Sequence, residues 1–241
     1  MKVLIIPDVH LKPRIFDLAG EIMKNSDCER AVFVGDLVDD WGCERNVKLY
    51  EDTFQKASDF VRQYPDTLWC YGNHDLAYLW NKYDHPGYSV FAKDVVCSNF
   101  SNLKTSFTHP ENMAIMHQID NVLFSHAGLV KAFVYYWLED VKDDIDAVID
   151  AVNNPRVNVM WDDISPVWAR PQEEYGSYEL CFPECLQVVG HTPVKRITQY
   201  GNLLTTDTFS TYSNGEPYGN EEMCWVDTVE KTWGIVHRKK R

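Results

Sequence analysis

The sequence has no apolar run approaching the ~20 residues that a membrane-spanning helix needs. It also lacks the longer apolar core and small-residue cleavage site of a secretory leader, since the strand-like Val3-Leu4-Ile5-Ile6 begins almost at once. Cysteine is present but unpatterned: seven residues, at 28, 43, 70, 97, 181, 185 and 224, are odd in number and irregular in spacing, unlike a secreted disulfide framework. Cys181 and Cys185 have a clip-like separation, yet no second pair matches them as a structural zinc site requires. A cytoplasmic protein is expected. Positive charge is also short, with 23 Lys and Arg against 36 Asp and Glu and a formal net charge of −13, which disfavours extended binding to polyanions such as nucleic acid. Internal repeats, linkers and low-complexity segments are absent, so residues 1–241 read as a single domain.

What is present argues for a full core: 45% hydrophobic residues, eight Trp and thirteen Tyr. Apolar strand-like runs at 2–6, 31–34 and 67–71 alternate with helical stretches near 15–25 and 46–63 and a helix start at 76–80. That alternation is the signature of a layered α/β fold with parallel pairing. Residues 81–110 read as helix fragments and loops, and 154–185 as irregular. Strands are expected near 113–119 and 121–125, with helix between 129 and 153. Further strands near 186–189, 195–200, 203–206, 223–227 and 232–237 follow one another closely, which suggests a second sheet packed on the first.

Five short stretches stand out: Asp8-Val9-His10, Gly35-Asp36, Gly72-Asn73-His74-Asp75, Ser125-His126 and Gly190-His191. All but the third follow apolar, strand-like runs, and the third follows the mixed run Thr67 to Tyr71. Loops at the carboxyl ends of strands are where open α/β sheets hold ligands. Carboxylate, imidazole and amide oxygen are the donors that borderline divalent metals accept. Asp8 and His10, two apart on an extended strand end, point to one side and can chelate one ion. Asp36 has two oxygens and can bridge two ions. Asn73, His126 and His191 supply an amide oxygen and neutral imidazoles. His74 adjoins Asn73 and cannot easily share its metal, but can protonate a leaving oxygen. Asp39 can hold the other ring nitrogen of His74. A purely structural role for the His74–Asp39 pair stays open at this point, and taken singly each stretch fits a turn or a core histidine. Taken together in this order they fit a two-metal centre, in which a bridging water becomes a nucleophile and ions ~3.5–4 Å apart hold phosphoryl oxygens.

With these motifs the chain resembles the calcineurin-like metallophosphoesterase superfamily over about residues 3–207. The family pattern D-x-H, G-D-x-x-D, G-N-H-D/E, H and G-H is present as Asp8-Val9-His10, Gly35 to Asp39, Gly72 to Asp75, His126 and Gly190-His191. The resemblance implies an α-β-β-α four-layer sandwich of two mixed sheets. It implies Asp8, His10 and Asp36 at one metal, and Asp36, Asn73, His126 and His191 at the other, with His74 catalytic and Asp39 its partner. Two divalent ions are implied, manganese first, with iron, zinc or nickel as alternatives. Ser125 to Gly128 and Gly190 to Pro193 look like the branch that holds serine/threonine phosphoprotein phosphatases and symmetrical dinucleoside tetraphosphatases. Trp168-Ala169-Arg170-Pro171 resembles a stretch of that branch whose arginine grips phosphate, and Asp207 resembles its late supporting aspartate. Pro193 stands where other branches carry a second histidine, so water is expected at one coordination position.

That branch typically reads G-D-x-x-D-R-G, and here Asp40 replaces the arginine. A carboxylate cannot clamp a phosphate dianion. Either Arg170 suffices, or Lys12 or Arg14 substitutes, or the substrate differs, with Asp40 turned away or reading a hydroxyl or amine. The expected activity is hydrolysis of phosphomonoesters by a metal-bridging hydroxide with a histidine acid. Dinucleoside polyphosphate, nucleotide or diester hydrolysis are the alternatives, and a non-catalytic interaction module is the remote one. The expected partner is a phosphorylated substrate, with no membrane and no long nucleic-acid track; the basic His237 to Arg241 reads as a solvated tail.

Overall fold

The computed structural model describes residues 1–82, 87–172 and 179–236. Two mixed sheets lie between helices, as the motif order implied. In the first, β1 (Lys2–Ile6), β2 (Arg30–Phe33), β3 (Leu68–Cys70) and β4 (Met113–Ala114) run parallel. In the second, β6 (Val122–Ser125), β7 (Leu186–Val189) and β9 (Leu203–Thr205) run parallel, edged by antiparallel β5 (Met116–Ile119) and β8 (Thr198–Tyr200). Side chains alternate along each strand. Val3 and Ile5 therefore join Val122, Phe124 and Val188 in the core between the sheets. Leu4 and Ile6 face the other way, with Phe33 and Trp69, toward the helices. Those helices are α1 (Arg14–Asn25), α2 (Val47–Gln63) and, after α3 (Asn73–Leu79), α4 (Lys93–Lys104). In α1 the buried Ile15, Ala19 and Ile22 recur every three to four residues, as one helix face requires. The second sheet's outer face is covered by α5 (Lys131–Trp137) and α6 (Ile145–Asn153), through Phe133, Val134, Val148 and Val152.

Four sequence expectations change. The strands at 223–227 and 232–237 are β10 (Cys224–Asp227) and β11 (Thr232–Ile235), and they join the first sheet, β10 lying antiparallel to β1. The stretch 113–119 is two strands in different sheets. Asn153 Oδ1 accepts the backbone N–H of Ile115 and Met116, at 3.0 and 2.9 Å, where the chain passes between them. The segment 81–110 contains a full helix, α4, whose buried Val96, Phe100 and Leu103 are diluted by Ser and Asn. The helical stretch 129–153 breaks at its acidic middle, where Asp144 caps α6 by accepting from Asp146 and Ala147 N–H. The tail 237–241 lies outside the described residues. No helix among the described residues is long and apolar enough to cross a membrane.

Candidate metal centre

Six parallel strands end on one side of the molecule, and each carries a polar residue just beyond its last ladder position. From the first sheet come Asp8 after β1, Asp36 after β2 and Asn73 after β3. From the second come His126 after β6, His191 after β7 and Asp207 after β9. His10, Asp36, Asp39 and His191 all sit at positive φ, between 43° and 64°. Each such non-glycine residue costs roughly 1–2 kcal/mol, and clustered strain of this kind marks sites where position outweighs stability. The close approach of the loops also needs bare backbone: a Cβ on Gly72 would lie 2.0 Å from Asp36 Oδ1, and one on Gly190 would lie 1.8 Å from Asp8 Oδ1. Asp75 fastens two of these loops, accepting N–H from Gly72, Asp36 and Leu37 at 3.0, 3.1 and 2.9 Å. Its carboxyl is pushed up to about 7 by burial and by the Asp36 charge. Sequence reasoning quoted Asp75 within its motif and assigned it nothing.

Around His126 the tautomers are dictated by backbone. Its Nδ1 lies 2.9 Å from the Val34 carbonyl, and His191 Nε2 lies 3.1 Å from the Trp168 carbonyl. A carbonyl only accepts, so each of these ring nitrogens donates. The opposite nitrogens then face inward. His126 Nε2 stands 2.9 Å from Asn73 Oδ1, 3.1 Å from His191 Nδ1 and 3.2 Å from Asp36 Oδ2. Four lone pairs converge in a buried space. Without an ion, the cluster settles by protonating His126: burial works against the charge, yet Asp36 raises its pKa to about 9. His191 is driven the other way, well below 6.5, by burial and by the His126 charge.

The second cluster shares Asp36. His10 Nδ1 donates to the Asp39 carbonyl at 2.9 Å, leaving Nε2 3.7 Å from Asp36 Oδ2. His10, Asp36 and His74 can bring one ligand atom each within 4.8 Å of one another, and Asp36, His126 and His191 form a second such group. Asp8, expected beside His10, is fully buried; its Oδ2 accepts the His191 N–H at 2.9 Å, and its Oδ1 has no hydrogen-bond partner among the described residues. Burial and the nearby Asp207 charge push the Asp8 carboxyl well above its usual range. Asp207 is itself buried and held by the N–H and hydroxyl of Ser210, at 3.2 and 2.7 Å. Buried carboxyls brought this close either take up a proton or meet a cation, and the orphaned Asp8 oxygen is available to a cation.

His74 Nδ1 lies 3.1 Å from Asp39 Oδ2, so the expected pair is formed. Asp39 is further gripped through Oδ1 by the hydroxyls of Tyr50 and Tyr78, at 2.8 and 2.6 Å, and the Tyr78 hydroxyl accepts the Ser89 N–H. Nothing near Asp39 in sequence announces these tyrosines. Burial opposes a charge on His74, but Asp36 and Asp39 outweigh it and raise the pKa above 6.5.

A cavity of about 340 Å³ opens over these groups, lined on the ligand side by His10, Asp36, Asn73 and His191, with His74 and Asp39 beside them. Arg170 lines it too, its Nη1 donating to Thr192 Oγ1 at 3.0 Å. Asp40 faces the cavity rather than turning away, but its charge is matched. Lys12 Nζ lies 2.8 Å from one carboxylate oxygen, while Thr211 Oγ1 and Trp41 N–H donate to the other at 2.6 and 2.9 Å. Burial alone would raise the Asp40 pKa; Lys12 brings it below the usual carboxylate range. Arg14 is spent on Glu221, 2.5 Å away, and does not line the cavity. Cys181 and Cys185 are free, and no third ligand joins them among the described residues.

The family model described as calcineurin-like phosphoesterase matches residues 1–201. Among solved structures, an archaeal phosphodiesterase is similar at 12% identity, over 98% of this chain and 99% of that one, with a TM-score of 0.41. A metallophosphoesterase from Sphaerobacter thermophilus is similar at 13% identity, over 100% of this chain and 88% of that one, with a TM-score of 0.42. No curated protein matches the chain.

Proposed function

The chain belongs to the calcineurin-like phosphoesterases and is a phosphoric ester hydrolase; from that premise we propose that it cleaves phosphomonoesters at two divalent cations, with His74 as general acid. One observation carries the reading: His126 Nε2, His191 Nδ1, Asn73 Oδ1 and Asp36 Oδ2 converge within about 3 Å contacts in a buried space, with backbone carbonyls taking the outer protons of both imidazoles. Those four would hold one cation, and Asp8, His10 and Asp36 the other, with the unpartnered Asp8 Oδ1 as a donor. Mixed nitrogen and oxygen donors suit manganese, and equally admit iron, zinc or nickel. When bound, such a pair supplies Lewis acidity toward phosphoryl oxygens and lowers the pKa of coordinated water toward neutrality.

The remaining roles belong to the chain's own groups. Asp39, fixed by two tyrosine hydroxyls, holds the Nδ1–H of His74 and leaves Nε2 to deliver a proton to the departing oxygen. In the metal-free protein Asp36 and Asp39 both favour the protonated ring. Arg170, steadied by Thr192, grips the phosphate's free oxygens. Asp207, held by Ser210 and close enough for its charge to act on Asp8 and His10, supports the site.

The test is hydrolysis with added Mn²⁺ of an aryl monoester, an aryl diester, a phosphopeptide and a dinucleoside tetraphosphate. His74→Asn is expected to lose roughly 10²–10⁴ in rate while keeping both metals, whereas Asp36→Asn loses metal and activity together. Because His74 also lies within ligand distance of His10 and Asp36, metal content decides its role. A His74→Asn protein that retains one ion instead of two makes His74 a ligand and removes the acid assignment. Preference for the diester or the tetraphosphate would replace the phosphomonoester reading.

A further inference from the structure

Trp41 lines the catalytic cavity, yet its side chain is 53% exposed and has no hydrogen-bond or ring partner among the described residues. An indole exposed in the wall of a concave site offers a flat apolar face of the kind that lines small-molecule pockets. Its backbone, by contrast, is fixed. Asp40 Oδ1 accepts the Trp41 N–H, and Asp40 is pinned in turn by Lys12 and Thr211. The indole therefore projects from a braced loop at the cavity wall.

Its position along the wall is set by Asp39. That residue holds His74 and stands two positions before Trp41, and all three line the cavity, so the loop that carries the indole also carries the partner of the proton donor. Arg170 is bonded to Thr192, next to His191, on the ligand side. Phosphate gripped by Arg170 and the ligand cluster directs its ester oxygen toward His74 and the group beyond it toward Trp41. Two features narrow that group. Arg170 is the only lysine or arginine among the described lining residues, and Asp40 faces the cavity beside Trp41. A second phosphate there would meet a carboxylate already paired with Lys12 and no guanidinium fork to clamp it. The cavity of about 340 Å³ falls in the range of small-molecule sites, roughly 300–1,000 Å³, and so accepts an organic group besides phosphate.

We propose that Trp41 is a specificity-determining residue: it stacks on a planar aromatic ring in the leaving group of a singly phosphorylated substrate. The proposal rests on the phosphomonoesterase reading above. Asp40 Oδ1 and Oδ2 accept three donors from the protein, and a carboxylate has about four acceptor sites, so one remains for a hydroxyl or amine on the same group.

Benzyl phosphate and cyclohexylmethyl phosphate test this directly, because the two alcohols match in length and leaving ability and differ in planarity. Aromatic contacts of this kind correspond to roughly two- to tenfold. The Mn²⁺-loaded wild type is expected to favour the benzyl ester by that factor in kcat/KM. Trp41→Ala should bring the ratio to about one, and Trp41→Phe should keep part of it. The corresponding phosphonates, which cannot be hydrolysed, should show the same ratio in Kd by calorimetry. A wild-type ratio near one, or a preference unchanged in Trp41→Ala, overturns the proposal and leaves the phosphomonoesterase reading intact. Hydrolysis of neither ester by metal-loaded wild type overturns that reading, and this proposal with it.

Discussion

At the scale of single residues, the His74–Asp39 contact sets the pH behaviour. A general acid works only while protonated, so activity falls as pH rises through the His74 pKa. In the metal-free protein that pKa is raised from 6.5 because Asp36 and Asp39 outweigh burial. Asp39→Asn removes one of those charges while keeping a side-chain oxygen for the ring N–H. Its alkaline limb of kcat is expected at lower pH than the wild type's, and an unshifted limb would mean that another group controls it. The sign for stability is the same: a raised imidazole pKa stabilises fully below 6.5 and loses its contribution as pH climbs through the folded value. That Asp8, His10, Asp36, Asn73, His126 and His191 come together was legible, because donor type and motif order place each beyond a strand end. The grip of Tyr50 and Tyr78 on Asp39 was not, since they come from two different helices, α2 and α3, that only folding brings to one carboxylate oxygen. The Lys12–Asp40 pair was half legible. The missing arginine was plain in the sequence, but the neutralising lysine comes from a different loop and only folding brings it to 2.8 Å.

At the scale of elements, strands were read well and their partners were not. Apolar runs located β1, β2, β6 and β7, each buried almost end to end, but the short patterns of β10 and β11 suit a strand of either sheet. The register Lys2↔Asp227 to Ile5↔Cys224 is a pairing between the two ends of the chain, which no local window contains. The third motif was read as a loop before a helix, whereas α3 begins at Asn73 itself with Gly72 as its cap. Asn73 and His74 therefore sit in a first helical turn, where rigid backbone holds them more firmly than a loop would. This makes Gly72 a sharp test. Its φ of −91° is open to any residue, so only space forbids a side chain. Gly72→Ala drives a methyl into Asp36, whose Oδ1 would be 2.0 Å away. Overpacking of this sort costs about 1–3 kcal/mol, or roughly 2–12 °C in Tm at this chain length. Since Asp36 serves both ligand groups, metal content should fall at both sites together. A variant with full metal content would show that the loop yields without moving Asp36.

At the scale of the whole molecule, the proposed cations are cross-links between sheets. Asp8, Asp36 and Asn73 follow strands of the first sheet, and His126 and His191 follow strands of the second. Two divalent ions would also offset four units of the formal net charge of −13. A ligand that binds only the folded state, at a hundred times its Kd, adds about 2.7 kcal/mol, which at this length corresponds to roughly 5–11 °C in Tm. Chelation should lower Tm by at least that amount, and excess Mn²⁺ should restore it. The size of the gap depends on pH with a sign that follows from His126. In the metal-free protein its pKa is about 9, so its proton stabilises the fold below 6.5 and that contribution is lost between 6.5 and 9. A bound cation requires the same nitrogen bare, so metal binding near pH 7 must expel that proton and weakens as pH falls. Raising pH from 6.5 to 9 thus destabilises the metal-free protein and favours the loaded one, and the Tm gap should widen across that interval. Calorimetry in buffers of different ionisation enthalpy should record proton release on Mn²⁺ addition at pH 7, shrinking toward zero above pH 9. A gap that stays constant, with no proton release, would mean that His126 Nε2 is not where the cation binds.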